Sequence, residues 1–322
     1  MNATGSPELS QFAEDVITGL TSTPKHLSSR YFYDDEGSRL FMEIMKLPEY
    51  YPTRAELKIF TEQADAIYEA FTDGADALDL IELGAGDGAK TAVLIDHFLA
   101  QDLELTYSPI DISKEANDAL ESRFHAKFPG LKIAPHTGDY FKVLGSLKNS
   151  RSRRKVLMFL GSNIGNFQKE AALSFFRNLR DVMNPDDMLF IGFDMQKDPR
   201  VIIAAYDDPK GVTAAFNLNL LTRINRELGA DFDVSKFSHY AQYRPIECAA
   251  RSYLISREQQ TVSFPGLGRT IDFDQWEPIF MEISQKYTRS MIEELASESG
   301  FRIIGDFFDD TNFYTDSLWK PA

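Results

Sequence analysis

Between Asp79 and Lys90 the chain reads Asp-Leu-Ile-Glu-Leu-Gly-Ala-Gly-Asp-Gly-Ala-Lys, an apolar run that breaks into Gly84, Gly86 and Gly88. Glycines at this spacing let a backbone turn tightly and let a ligand approach the main chain. If a helix follows, its first N–H groups favour an electron-rich or anionic partner. Asp111 closes the segment Tyr107-Ser-Pro-Ile-Asp111. A carboxylate at a strand end can accept both hydroxyls of a ribose; it can equally cap the next helix. Gly138-Asp139-Tyr140 follows a third apolar run. There Asp139 could accept from an adenine amino group while Tyr140 packs on the ring; a turn with a core aromatic is the plainer alternative. All three signals fall just beyond the carboxyl ends of successive predicted strands, where open α/β sheets bind ligands. Together they predict a nucleoside cofactor.

The spacing bears on which nucleoside. A dinucleotide fingerprint is G-x-G-x-x-G. Here the third glycine comes one residue early and Ala89 takes the dinucleotide position, where Ala is tolerated, so the glycines alone leave NAD open. Glu82, two residues before Gly84, is more typical of enzymes that use S-adenosylmethionine (SAM). SAM, as methyl donor, is therefore the expected cofactor. The histidines at 26, 97, 125, 136 and 239 lack metal-ligand spacing and Cys248 is the single cysteine, so no metal site is expected.

Periodicity indicates the elements that must position these residues. Over the first 75 or so residues the chain reads as helices and loops. Residues 8–20 place Leu9, Phe12, Val16, Ile17 and Leu20 at helical spacing. A short helix at 39–45 follows, and a third begins at Thr53, where Thr53 with Glu56 three residues later makes a capping-box pattern. Strands at 78–83, 105–110, 132–135, 156–161 and 188–193 then alternate with helices at 90–99, 114–128 and 169–182. Repeated β-α units imply a parallel sheet covered by helices on both faces. From about 200 to 266 the alternation fades, apart from a helix at 214–228; this is a natural place for a substrate-binding cap. A helix at 288–297 and strands at 301–308 and 313–319 end the chain, a hairpin typical of the seven-stranded methyltransferase sheet.

The expected fold is therefore α/β, a Rossmann-like seven-stranded methyltransferase sheet with a smaller substrate-binding domain. Its expected division is 1–75 (helical, substrate side), 76–198 (SAM-binding), 199–285 (substrate-binding insertion) and 286–322 (completing the sheet). The chain has 322 residues, 43% of them hydrophobic, enough to bury a core, and a net charge of −15. Such an acidic chain is a poor candidate for binding nucleic acid. Its one basic run, Arg151, Arg153, Arg154 and Lys155, reads as a solvated strand entrance. With no basic, apolar leader, no 20-residue apolar run and a lone cysteine, the expectation is a cytoplasmic monomer with no membrane partner.

Longer strings add a resemblance. They are Tyr31-Phe-Tyr33-Asp34, Leu47-Pro-Glu-Tyr50-Tyr-Pro-Thr-Arg54, Glu82-Leu-Gly84-Ala-Gly86, Phe159-Leu-Gly161-Ser-Asn-Ile-Gly-Asn166, Ala205-Tyr206-Asp-Asp208, Gly211-Val-Thr-Ala-Ala-Phe-Asn217 and Glu282-Ile-Ser284. On these the chain resembles, over nearly its whole length, the SAM-dependent L-histidine Nα-methyltransferases of ergothioneine biosynthesis. The resemblance implies trimethylation of histidine, by way of its mono- and dimethylated forms, to hercynine. It implies Tyr33, Gly84, Lys90, Asp111, Asp139 and Tyr140 as cofactor residues. It implies Tyr50, Gly161, Asn166, Tyr206, Glu282 and Ser284 as amino-acid residues. By sequence either tyrosine of the 50–51 pair could serve; the family pattern takes the first. Tyr33, Tyr50 or a water could accept the amine protons.

Glu282 and Ser284 stand at i and i+2, on one face of a strand. An acceptor-only carboxylate beside a hydroxyl that both donates and accepts suits the two nitrogens of an imidazole. Ser252 stands where the family often carries a bulky apolar residue such as Met, which would leave the side-chain pocket roomier. The alternative substrate is another aromatic amino acid or an indole derivative such as tryptophan.

Overall fold

The computed structural model describes residues 7–111, 114–138, 140–147 and 153–322. Asp139 and Arg151 lie outside them. The chain forms two compact units: Met1–Tyr51 with Lys197–Ser284, and Pro52–Gln196 with Gln285–Ala322. Among the described residues no helix is long and apolar enough to cross a membrane.

The larger unit is built on a mostly parallel sheet. Along the chain come β1 (Ala77–Leu83), β2 (Glu104–Asp111), the short β3 (Lys132–Ile133) and β4 (His136–Thr137), β5 (Arg154–Phe159) and β6 (Met188–Asp194). Five strands follow in the other unit: β7 (Phe237–Arg244), β8 (Ala249–Ser256), β9 (Gln260–Phe264), β10 (Arg269–Phe273) and β11 (Pro278–Gln285). The hairpin β12 (Phe301–Phe308) and β13 (Tyr314–Pro321) ends the chain. The large sheet has the order β12-β13-β6-β5-β1-β2-β3, with β4 also on β2. The seventh position is thus shared by two short strands, because Ala134 and Pro135 interrupt the expected 132–135 strand. β1, β2, β5 and β6 run parallel, and β13 enters antiparallel to β6. Their residues are buried almost throughout, β6 over its whole length, as strands covered on both faces must be.

The helices Tyr51–Glu62 and Ala64–Thr72 pack on this sheet, through Ile59, Phe60, Ile67 and Phe71, rather than with the substrate-side segment expected for residues up to 75. The first of them starts two residues earlier than the capping-box pattern at Thr53 predicts, with Pro52 in its first turn, where a missing N–H costs nothing. Glu56 therefore does not cap it; the side chain is fully buried. The basic run also differs from expectation. Arg153 pairs with Glu104, but Lys155 is buried beside Asp187 at 3.6 Å.

In the smaller unit the stretch expected to be irregular is ordered. Pro199–Tyr206 is a helix, β11-β8-β7 form a three-stranded sheet and β9-β10 a hairpin. Helix Val212–Leu228 packs Phe216, Leu220 and Ile224 into one core with Phe32, Leu40 and Met281. β8 alternates buried and open residues, but Ala250, Ser252 and Ser256 occupy buried positions, so hydrophobicity does not alternate and the strand escapes the sequence.

One sheet residue is fixed by space alone. A methyl group at Gly192, in the middle of β6, would overlap the Tyr314 hydroxyl and the Glu56 carboxylate. Gly192→Ala should cost about 1–3 kcal/mol by overpacking. Chemical denaturation measures it; unchanged stability would mean that the helix carrying Glu56 is free to shift.

Candidate functional site

In the larger unit the sequence-predicted cofactor residues gather at the carboxyl ends of β1 and β2. Gly84 takes a φ of +71° and donates its N–H to the Ile110 carbonyl at 3.0 Å, which carries the β1–β2 ladder one residue into the turn. Gly86, at φ +57°, has nothing within 4 Å of where a Cβ would stand. That is an open cradle at which a ligand can meet main-chain atoms. Asp111 ends β2, and its carbonyl accepts from Gly138 N–H at 2.9 Å, drawing the next segment alongside. Tyr140 opens a helix, Tyr140–Leu147, and its hydroxyl stands 3.0 Å from the Cβ position of Gly84. Gly84, Asp111 and Tyr140 are thus brought together. The open cradle, a carboxylate for hydroxyls and an aromatic ring fit a nucleoside cofactor.

Glu82 does not face this turn. It is buried, accepts from the Tyr107 hydroxyl at 2.6 Å and is pushed up to about 7, chiefly by burial, against the Tyr107 hydrogen bond and the Lys90 charge. Lys90, a predicted cofactor residue, is half-buried and paired with the buried Glu56. Burial lowers its pKa, but the Glu56 carboxylate outweighs that and the net direction is upward.

Gly161 and Asn166 follow β5. Gly161 is at φ +71° and donates its N–H to Glu56 Oε1 at 2.8 Å. Asn163–Asn166 form one 3₁₀ turn, anchored by buried Ile164, whose carbonyl accepts from the Tyr287 hydroxyl at 3.1 Å. Ser162, in left-handed conformation, accepts from Asp194 N–H at 3.0 Å. Asn166 lies exposed at the end of this pinned turn.

The remaining predicted residues belong to the smaller unit. Tyr206 ends its helix and donates to Ser284 Oγ at 2.6 Å. Just beyond it, buried Asp208 accepts from Val212 and Thr213 N–H at 3.0 and 2.7 Å and so fixes where Tyr206 stands. Glu282 and Ser284 share a face of β11. The Tyr33 ring, about half exposed, packs edge-on to Phe41 and Phe216 at 5.5 and 5.7 Å. Partial burial, then Glu282 and then Tyr206, raise its pKa above the ordinary tyrosine value. Tyr33, a predicted cofactor and catalytic residue, therefore stands with Glu282 and Tyr206. Tyr50 neighbours Phe41 at 6.2 Å, whereas Tyr51 is buried with Lys197 Nζ 2.8 Å from its hydroxyl.

Sequence reasoning missed the clamp behind Tyr33. Asp34 caps the helix Asp35–Ile44 through Gly37 N–H at 2.8 Å and accepts from Asn219 at 2.7 Å and Arg226 at 2.6 Å. The Asp34–Gly37 spacing was a readable cap signal; the long-range partners were not. Among the described residues no three of His, Cys, Asp and Glu group closely enough to hold a metal ion.

The sheet order, with its antiparallel final strand and a glycine turn leaving β1 toward the end of β2, is that of the SAM-dependent methyltransferase sheet. The model of one family, the histidine-specific, SAM-dependent methyltransferases, matches residues 12–321, and the chain belongs to that family. A histidine N-alpha-methyltransferase of Mycolicibacterium smegmatis is 38% identical over 304 residues, 94% of this chain and 90% of that protein. One of Mycobacterium tuberculosis is 38% identical over 90% of this chain and 88% of its own. Ergothioneine biosynthesis protein 1 of Schizosaccharomyces pombe is 29% identical over 87% of this chain, which spans 37% of that longer protein.

Glu82 generates a stability prediction. Its folded pKa of about 7 exceeds the ordinary 4.5, so the stability it contributes is present below 4.5 and lost as pH rises through 7. Glu82→Gln keeps an acceptor for Tyr107 and removes that loss. The variant should gain on wild type between pH 5 and 8, by at most about 1.4 kcal/mol per pH unit. Parallel stability curves over this range would show Glu82 to be ionised throughout.

Proposed function

We propose that this protein transfers three methyl groups from SAM to the α-amine of L-histidine, giving hercynine, the first step of ergothioneine biosynthesis. Membership of the histidine-specific family supports the reaction class. The observation that carries the substrate is the Tyr206–Ser284 hydrogen bond on the face of β11 that also carries Glu282, with Tyr33 within electrostatic reach of Glu282 and Tyr206. The single cysteine supports work in a reducing compartment such as the cytoplasm.

Bound at the glycine turn, SAM supplies a methyl group on a positively charged sulfur. Asp111 would accept its ribose hydroxyls, with Gly84, Lys90, Asp139 and Tyr140 as further contacts and Tyr33 as the family pattern's remaining one. Asn166 offers amide donors to a substrate carboxylate, in the pinned turn that also carries Gly161. Tyr206 and Ser284 act as one bonded pair: with the tyrosine proton on Ser284 Oγ, the serine proton is left to donate to one imidazole nitrogen. Glu282 accepts from the other. Tyr50 and Tyr33 border the amine.

The chemical step is an in-line displacement: the nitrogen lone pair forms the new N–C bond and the S–C pair returns to sulfur. A neutral amine is required each time, so a proton leaves before the first transfer and after the first and second. Tyr33 is a poor base for them, because its surroundings and Glu282 disfavour the phenolate. It accepts a hydrogen bond through its lone pair and aligns the nitrogen, and water carries the proton away. Alignment of this kind is the main contribution the chain makes to rate.

Mass spectrometry of products from SAM and a panel of amino acids tests the proposal. Histidine should gain three methyl groups, while tryptophan and phenylalanine gain few or none. Preferred methylation of tryptophan would overturn it in favour of the indole alternative suggested by Ser252. Since the amine must be neutral and Tyr33 does not supply a base, kcat/KM for histidine should rise with pH from 7 to 9. A flat profile would point to an internal base.

A further inference from the structure

Glu56 belongs to none of the sequence motifs for cofactor or substrate contact, yet it is fully buried and three groups converge on its carboxylate. Oε1 accepts from Gly161 N–H at 2.8 Å and from the Tyr314 hydroxyl at 2.8 Å; Oε2 pairs with the Lys90 ammonium. Lys90 Nζ in turn lies 3.4 Å from the Cβ position of Gly161. Asp316, two residues along β13 from Tyr314, is buried against Glu56, and neither of its oxygens has a donor among the described residues. Burial first, then the Glu56 charge, holds Asp316 well above the usual carboxylate range. The groups facing Glu56 are thus one ammonium, Lys90, one phenol, Tyr314, and one acidic group, Asp316, with Glu82 beyond Lys90. A carboxylate with these partners and no room to turn holds whatever it is bonded to.

We propose that Glu56 is a positioning residue for methyl transfer: through Gly161 N–H and Lys90 it holds the turn after β5 and the start of the helix after the glycine turn in one arrangement, so that the amino-acid and SAM contacts are set together. The inference rests on the roles proposed above for Gly161 and Lys90. Gly192 is the space this requires, since any side chain there would displace the carboxylate.

The test is SAM titration calorimetry without an amino acid, together with the histidine KM, for wild type, Glu56→Gln, Lys90→Met and the double variant. Glu56→Gln should weaken SAM at least tenfold and raise the histidine KM at least fivefold, per folded site. In the Lys90→Met background it should add less than twofold to the SAM loss, because it acts there through Lys90, and should still raise the histidine KM through Gly161. A merely structural role would lower the thermal midpoint and the folded fraction without moving either constant. SAM affinity and KM within twofold of wild type for Glu56→Gln, or full additivity of the SAM losses, would overturn the proposal. Should Glu56→Gln fail to fold, the double variant, which buries no unpaired ammonium there, is measured against Lys90→Met. A raised histidine KM supports the proposal and an unchanged one overturns it. The SAM arm is read without any acceptor, so a wild type that binds SAM but methylates a different amine defeats the histidine reading and leaves the result for Glu56 standing.

Discussion

The nucleoside-binding half of this molecule depends on the parallel register of β1 against its two neighbours. Leu83 stands opposite Ile110 and Glu82 opposite Met158, so β1, β2 and β5 end at nearly the same level. The Gly84 N–H to Ile110 carbonyl bond carries that register into the turn, at a φ that an L side chain rarely adopts. Because the strands end together, Gly84, Asp111, Tyr140 and the turn of Gly161 emerge at the same end of one sheet. A one-residue slip would exchange the faces of a strand and scatter them.

Around this register the sheet buries charge. Lys155 with Asp187 and Lys286 with Asp194 are enclosed pairs in the larger unit, and buried Glu56 pairs with the half-buried Lys90. An enclosed pair gains little stability after desolvation, but removing one partner is costly because the other charge is left behind. Two of these pairs hold the turn after β5. Glu56 bonds Gly161, and the backbone of Asp194 bonds Ser162, so the segment carrying Gly161 and Asn166 is tied to both. In the smaller unit hydrogen bonds do comparable work with fewer buried charges. Asp34 anchors the segment of Tyr33 and Asp208 that of Tyr206.

The sheet strands were legible because continuous apolar runs ended in glycine or a polar residue, and because helical periodicity separated them. The glycine turn was legible for the same reason. The start of the helix at Tyr51 was misread because Thr53 and Glu56 match a capping pattern, while the burial of Glu56 depends on Lys90, Gly161 and Tyr314, distant in sequence. The strands β7 and β8 were hard to see because small residues, Ala241, Ala249, Ala250, Ser252 and Ser256, fill most of their buried positions, leaving only Phe237 and Leu254 as large apolar ones. The helix Pro199–Tyr206 had a usable signal, Asp198 as N-cap before Pro199, which the length of the irregular stretch obscured. The candidate site residues followed the family strings, but the bond between Tyr206 and Ser284 needed the three-dimensional fold.

The central claim is that β11 reads the amino-acid side chain through Glu282, with Ser284 held ready by Tyr206. Competition between histidine and tryptophan, for wild type and Glu282→Ala with products counted by mass, tests it most directly. A carboxylate–imidazole hydrogen bond is worth about 1.5–3 kcal/mol, so kcat/KM for histidine should fall at least about tenfold. That for tryptophan should hold or rise, because the unpaired carboxylate is gone and alanine leaves room in its place. Equal losses for both substrates would contradict the account: Glu282 would then support the fold or the chemistry, and selection would lie elsewhere.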